Sequence, residues 1–351
     1  MAHASPSSYC EAPPPAPVSE GYKGRGRRVR RAHPVRGGRA WRAGPRRGAG
    51  GGGGTAEDRE FLHRALQSAS RGHEEELART LALLRVLPGG PGSEGLGEGE
   101  LEDAQVEGLE NLIDIVSKAE FAVGLLGKGG GEALLAAAEA SGHADSVRGL
   151  SLAAVGTCAQ NCPEAQALLG GCRALERLLA LLERERASGP LLSARALFAL
   201  GSLVRGNTAL TGDLVRRGGG LRGLGGGPGL LCGFLGPAAP ARARVRALRL
   251  AAHLLCEVPG ELPAAIANGA VPDAANALAG EDDAVADAAL ALLAGLAQRA
   301  AGNPAVVDAL APLERDLFAF EERRRTNGDE APAQAAAMRQ SLGWGTLTDT
   351  L

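Results

Sequence analysis

From Leu101 to about Phe320, leucine and alanine return every three or four residues with polar residues between them. That spacing is the mark of helices that each bury one face. Four stretches carry the stripe in related form: VRGLSLAAVGTCAQN at 147–161, ARALFALGSLVRGN at 194–207, VRALRLAAHLLCE at 245–257 and VADAALALLAGLAQR at 285–299. Shorter helices are predicted between them, at 172–182 and 271–279. Asn268-Gly269-Ala270 supplies a breaker at which one helix ends and the next starts at a sharp angle. Asp145, Ser193 and Asp283 stand where N-caps are expected.

The four stretches align Arg148, Arg195, Arg246 and Asp287, which are 47, 51 and 41 residues apart. Armadillo and HEAT repeats have periods of about 40–47 residues. The expected fold is therefore all-α, an armadillo/HEAT-like right-handed superhelical solenoid. A single repeat cannot bury its own stripe, so stacked neighbours complete the core and the array curves. The long third interval contains the glycine-rich run from Gly218 to Gly229, which is placed in a loop.

Around this array the expected organisation is a basic Gly/Arg-rich disordered tail at 1–56, a short helical segment at 57–87 and a linker at 88–100. The repeat domain spans 101–320 and a flexible C-terminal tail spans 321–351. Phe61, Leu62, Leu66 and Ala69 give the short segment its helical stripe. The chain has 52 glycines and 20 prolines, and runs such as 48–54 and 218–229 are expected to be flexible. They carry too little side chain to offset the entropy of ordering. Aromatics are only 3%, so the core is built from small residues and close helices.

The net charge of −2 conceals two halves. Residues 1–56 hold one Lys and ten Arg against two Glu, about +9, and the remainder holds 27 basic and 38 acidic groups, about −11. The segment 23–47 offers a salt-sensitive attraction to phosphates, with Trp41 as one stacking surface. A targeting segment and an extension with no dedicated role are the other open readings. No run of 18 apolar residues appears, and residues 1–24 lack the apolar core of a secretory signal. No Asn-x-Ser/Thr sequon occurs, and Cys10, Cys158, Cys162, Cys172, Cys232 and Cys256 show no disulfide framework. The expected location is the cytoplasm, with the nucleus as an alternative and the endoplasmic reticulum disfavoured.

No motif for catalysis stands up. Gly218 to Gly223 fits GxGxxG, but no strand precedes it and no acid is placed for a ribose. Gly127-Lys128 continues into Gly129 rather than Ser or Thr. Cys158 and Cys162 lie one turn apart without nearby histidines, so packing is the expectation and neither metal nor cofactor is expected. His253 has no legible carboxylate and nucleophile beside it. Arg148, Arg195 and Arg246 are more informative. Recurrence at one repeat position suits either carboxylates on a partner or acids of a neighbouring repeat.

The segment GTCAQN at 156–161, continued by Cys162-Pro163-Glu164-Ala165-Gln166, resembles the second repeat of the armadillo-type nucleotide exchange factors of heat-shock protein 70 chaperones, the heat-shock-70-binding-protein, Fes and Sil family. LEDAQVEGLENLIDIVSKAEFA at 101–122 is similar to that family's acidic leading repeat, 194–207 to its third-repeat helix and 246–255 to its fourth. The resemblance covers roughly 57–320. Glycines in place of bulkier residues, the 218–229 run and the basic tail depart from it.

The resemblance implies a non-enzymatic co-chaperone, monomeric, whose concave face grips the chaperone's ATPase domain and favours release of ADP. Mapped by position, the implied face comprises Arg148, Thr157, Gln160, Asn161, Arg195, Ser202, Arg205, Asn207, Arg246, Arg249 and His253. Thr157, Ser202 and His253 are expected to share one groove-facing slot. A general armadillo adaptor for an extended peptide is the alternative. The regular Trp and Asn ladders of peptide-gripping arrays are missing, since the corresponding slots hold Ala153, Phe198, Arg249 and Ala291.

Overall fold

The computed structural model describes residues 71–90, 97–186, 190–299, 303–328 and 333–344. The basic segment 1–56 and the helical stripe from Phe61 to Ala69 lie outside them. Residues 1–55 and 56–351 form separate units, and the described residues all belong to the second. They are helical throughout, with no strand and a lone bridge between Arg222 and Pro228.

The chain runs through repeated triplets of helices. Residues 71–83 form α1, and α2 spans Glu98–Val116. Then come α3 (Ala119–Gly127), α4 (Gly130–Glu139) and α5 (Asp145–Ala159), followed by α6 (Pro163–Gly171), α7 (Ala174–Glu185) and α8 (Pro190–Val204). The third triplet has α9 (Thr208–Arg216) and α10 (Ala241–Glu257). The fourth has α11 (Leu262–Ala267), α12 (Ala270–Ala279) and α13 (Asp283–Ala297), and the last has α14 (Pro304–Leu310), α15 (Glu314–Thr326) and α16 (Ala333–Leu342). The third member of each triplet packs on the next, giving one continuous row: α2, α5, α8, α10, α13, α16. Shorter helices form the layers behind it, as in α3 on α6 and α12 on α15. The armadillo-like solenoid expected from the 3–4 residue stripe is what the helices build. One leucine and alanine core runs through all of it.

Two recurrent turns set the repeat. In the first, the residue before α6, α9 and α14 and the one after α10 share one conformation: Cys162 (φ −128°, ψ 90°), Asn207 (−125°, 92°), Val258 (−124°, 91°) and Asn303 (−123°, 92°). These residues are 45, 51 and 45 apart. In the second, a left-handed residue separates the first two helices of a triplet: Gly129 (φ 85°), Arg173 (φ 56°) and Gly269 (φ 83°). At the first of these the axes of α3 and α4 meet at 81°. A residue with a Cβ is strained there by about 1–2 kcal/mol. Arg173 is exposed, so Arg173→Gly is expected to raise stability by about 1 kcal/mol, read as an upward shift of the thermal midpoint.

The structure corrects the reading of three segments. The glycine run at 218–229 is a loop, as placed, but it packs into the array rather than standing free of it. It replaces the second helix of the third triplet, with a 3₁₀ turn at Leu230–Phe234, and buries Leu221, Leu231, Phe234 and Leu235 in that helix's place. Fully buried Glu261 accepts from the backbone N–H of Leu221 at 2.5 Å and of Arg222 at 3.3 Å, and Asn268 donates to the Leu221 and Gly227 carbonyls. Gly220 has no room for a Cβ beside the Glu261 carboxylate, which is why the run needs glycine there.

The segment after 320 is the second. α15 continues to Thr326, and α16 closes the row by packing on α13 and α15. Ala335 and Met338 are buried, and the buried Glu321 pairs with Arg339. The third is the stretch 57–100. α1 is part of the array, because buried Gln105 donates to the Leu83 and Val86 carbonyls that end it, at 2.8 and 2.9 Å, and α2 already begins at Glu98. The caps shift too. α13 is capped by Asp282 rather than Asp283, Asp145 is the first residue of α5, and Ser193 lies inside α8. Among the described residues no single helix is long and apolar enough to cross a membrane.

Candidate protein-binding face

The recurrent turn fixes which residues are equivalent along the row. Counting back from Cys162, Asn207, Val258 and Asn303, one slot holds Leu150, Arg195, Arg246 and Ala291. The next holds Ala153, Phe198, Arg249 and Ala294, then Thr157, Ser202, His253 and Gln298, then Gln160, Arg205 and Cys256. Thr157, Ser202 and His253 do share a slot. Arg148 does not share one with Arg195, because the alignment on the Arg-x-Leu pattern is displaced by two residues. Asp287 likewise matches Arg242, not Arg246.

The displacement has a physical consequence. Arg148 is buried, where Ser193 is buried in the following triplet. Its guanidinium donates to the Ala138 carbonyl at 3.1 Å, to Asp145 at 3.0 Å and to the buried carboxylate of Glu185 on α7. Burial alone raises the Glu185 pKa, but Arg148 and Arg184 outweigh it and hold the group below the usual glutamate range. Arg148 is therefore an internal tie between α5 and α7 and not part of an exposed face.

The other residues divide by position. Gln160 and Asn161 are exposed at the end of α5, and Asn161 takes the left-handed φ of 55° that Gly206 (φ 72°) takes one repeat later. Asn207 caps α9 by accepting from the Leu210 N–H, so its oxygen is occupied within the fold. Thr157 is half-buried and donates to the Ala153 carbonyl, while Ser202 is buried. Buried Gln166, one triplet back, donates to the Ser202 and Arg205 carbonyls at 3.0 and 2.9 Å and closes the end of α8. This gives the Cys162–Gln166 motif a structural meaning: it ties its triplet to the next.

What remains at the surface of α8 and α10 is strongly basic. Arg205, Arg242 and Arg249 are exposed, and Arg195 and Arg246 are half-buried. The Arg246 guanidinium lies 4.9 Å from the centre of the Phe198 ring, within cation–π range. Phe198 in turn lies close on α5 at Gly156, where a Cβ would stand 2.5 Å from the ring. Gly156 thus lets Phe198, and through it Arg246, sit close to α5. Arg205 is open to solvent, yet the surrounding helices strip part of its hydration and Arg249 adds like charge, so its pKa falls below the usual arginine value. Solvent access combined with lost hydration is the environment of a groove wall. The His253 imidazole is held below its ordinary value by burial first and then by Arg205, with Glu257 opposing, and its Nε2 is buried without a hydrogen-bond partner among the described residues.

Arg242 and Phe198 join the face through the turn register, a signal present in the sequence as the Asn207 and Asn303 positions but not read from the Arg pattern. Cys158 and Cys162 are buried, and burial pushes the Cys158 thiol up to about 12. Among the described residues no group of three or more His, Cys, Asp or Glu is arranged to hold a metal ion.

A basic, partly aromatic face on stacked helices suits contact with an acidic partner. Part of this chain is similar to Hsp70-binding protein 1. Over 151 residues it is 32% identical to the protein of that name from Homo sapiens and 33% identical to that from Rattus norvegicus. The match spans 42% of this chain but only 41% of the human protein's length, so less than half of each is compared. No protein-family model matches the chain. Among solved structures, a designed armadillo repeat protein aligns over 76% of this chain and 99% of its own, with a TM-score of 0.55 at 20% identity. An engineered protein aligns over 75% and 98%, with a TM-score of 0.57 at 18% identity. These structural matches bear on the fold alone.

Proposed function

We propose that this chain is a co-chaperone that binds the ATPase domain of an Hsp70 chaperone through the exposed face of α5, α8 and α10 and promotes release of ADP. The observation that carries this reading is the similarity to Hsp70-binding protein 1 over 151 residues. The stacked row supports it by offering a stiff surface of guanidiniums, Phe198 and Gln160. Such a surface needs no catalytic group. If it fits the opened nucleotide cleft better than the closed one, binding shifts the partner toward the open state. By linkage the affinity for ADP falls by the same factor. We place this role in the cytoplasm and assign the chain as a monomer.

Calorimetry of the full chain against a purified Hsp70 ATPase domain tests the linkage. Saturable binding is expected without nucleotide, weakened roughly 5–150-fold by saturating ADP. Removal of residues 1–56 is expected to leave both affinities unchanged. Equal affinity with and without ADP would refute exchange activity.

A peptide-binding adaptor is the second reading; one designed armadillo repeat protein that shares the fold is a complex with the peptide (KR)4. The surface of this chain opposes a basic ligand of that kind. Arg195, Arg205, Arg242, Arg246 and Arg249 stand along α8 and α10, and like charges across an interface are repelled.

A further inference from the structure

Among the described residues, two arginines where α8 meets α10, Arg205 and Arg249, stand without the carboxylates that neutralise arginines elsewhere in the fold. Arg148, Arg177, Arg217 and Arg324 all pair with carboxylates. Among the described residues Arg205 and Arg249 carry no ion pair, and each is the other's electrostatic neighbour across the α8–α10 contact. His253 stands one turn beyond Arg249 on α10, next to Arg205, with its Nε2 buried and unpartnered. Two guanidiniums that repel one another, beside an imidazole with an unpartnered nitrogen, suit an anion.

We propose that Arg205, Arg249 and His253 together receive a carboxylate side chain of the protein partner, and that His253 takes up a proton as it binds. This names the chemistry at the centre of the face assigned above and rests on that reading only for the identity of the partner. A carboxylate fits because an arginine fork donates to it in two parallel hydrogen bonds. The neighbouring slots argue for an isolated carboxylate on a protein and against a nucleic-acid strand. Leu150, Ala153 and Phe198 are apolar, and Glu257 on α10 places negative charge beside His253.

The charged and titratable groups facing His253 are Arg205, just past the end of α8, and Arg249 and Glu257 on its own helix. From α13 the matching slot brings the neutral Gln298, and Arg299 beyond it is turned to the Cys256 carbonyl. In the free protein burial and Arg205 keep the imidazole neutral near pH 7. A bound carboxylate cancels the Arg205 repulsion and raises the His253 pKa. Proton uptake on binding means that affinity rises as pH falls from about 7.5 toward 6, below the ordinary histidine value of about 6.5.

Two measurements on the full chain test this. The first follows the His253 imidazole by NMR, assigned with His253→Gln, as a hexaglutamate peptide is added. The His253 pKa is expected to rise, and Arg205→Gln/Arg249→Gln is expected to abolish the rise. This readout is local, so peptide held by the basic N-terminal segment does not enter it. An unchanged His253 titration at saturating peptide overturns the proposal. So does a single-stranded oligonucleotide that raises the pKa at lower concentration than the peptide.

The second measures affinity for an Hsp70 ATPase domain at pH 7.5 and 6.0. The double variant is expected to lose at least about ten-fold, and His253→Gln to flatten the pH dependence. Equal binding by wild type and double variant overturns the carboxylate site while leaving the co-chaperone reading intact. No chaperone binding by wild type, with the peptide-induced pKa rise present, overturns that reading and supports the site.

Discussion

Glu185→Ala is expected to destabilise the fold by about 3–5 kcal/mol, because it removes the buried counter-charge of the Arg148 guanidinium and leaves only the exposed Asp145. Thermal or urea unfolding followed by circular dichroism measures this. The paired change Arg148→Met/Glu185→Leu removes both charges and is expected to recover most of the loss, since a buried ion pair is often replaceable by apolar packing. A folded-state pKa below the ordinary 4.5 carries a sign as well. The stabilisation from Glu185 is present above the unfolded-state value and is lost as pH falls through the lower folded-state value. Acid unfolding of wild type therefore steepens below about pH 4.5, and Glu185→Ala loses that component. A Glu185→Ala variant as stable as wild type at pH 7 would contradict the burial of this pair.

Gly156→Leu is expected to damage both fold and face. A Cβ there meets the Phe198 ring at 2.5 Å and the Ala199 Cα at 3.1 Å, so α8 must move away from α5. Overpacking of this kind costs about 1–3 kcal/mol, often more for a large side chain. Gly156→Ala is the informative control. Alanine improves helix propensity by about 1 kcal/mol, so a net loss in that variant reports the clash alone. Phe198→Ala in the Gly156→Ala background relieves the clash and is expected to restore stability, while chaperone affinity falls because Arg246 loses its ring. Equal stability for wild type and Gly156→Leu would show that α5 and α8 are not in close contact at this point.

The helix rows were legible because their signal is long-range and redundant. The Leu/Ala stripes at 147–161, 194–207, 245–257 and 285–299 fall on α5, α8, α10 and α13. Gly269 also behaves as a breaker residue should, with φ at 83° between α11 and α12. Register was the weaker inference. Arg148 and Arg195 look equivalent because each opens an Arg-x-Leu pattern, but helix turns fix the repeat, and those turns place Ser193 opposite Arg148. A shift of two residues moves a side chain by more than half a turn, from surface to interior.

The packing of the glycine run at 218–229 and of the segment after 320 is not legible in composition, for a different reason. Composition measures how little a segment can bury by itself. It carries no information about Glu261 and Asn268, which hold the run across separations of 40 and 47 residues, or about the α13 flank that α16 covers. Arg205, Arg249 and His253 were all legible as surface candidates. Their convergence was not, because it depends on how α8 meets α10.

The most direct test of the account is stopped-flow release of a fluorescent ADP analogue from an Hsp70 chaperone. Mixing with the full chain is expected to accelerate release in a saturable manner, and Arg205→Gln/Arg249→Gln is expected to need a higher concentration for the same effect. Release rates that are unchanged at concentrations saturating the chaperone by calorimetry would contradict it.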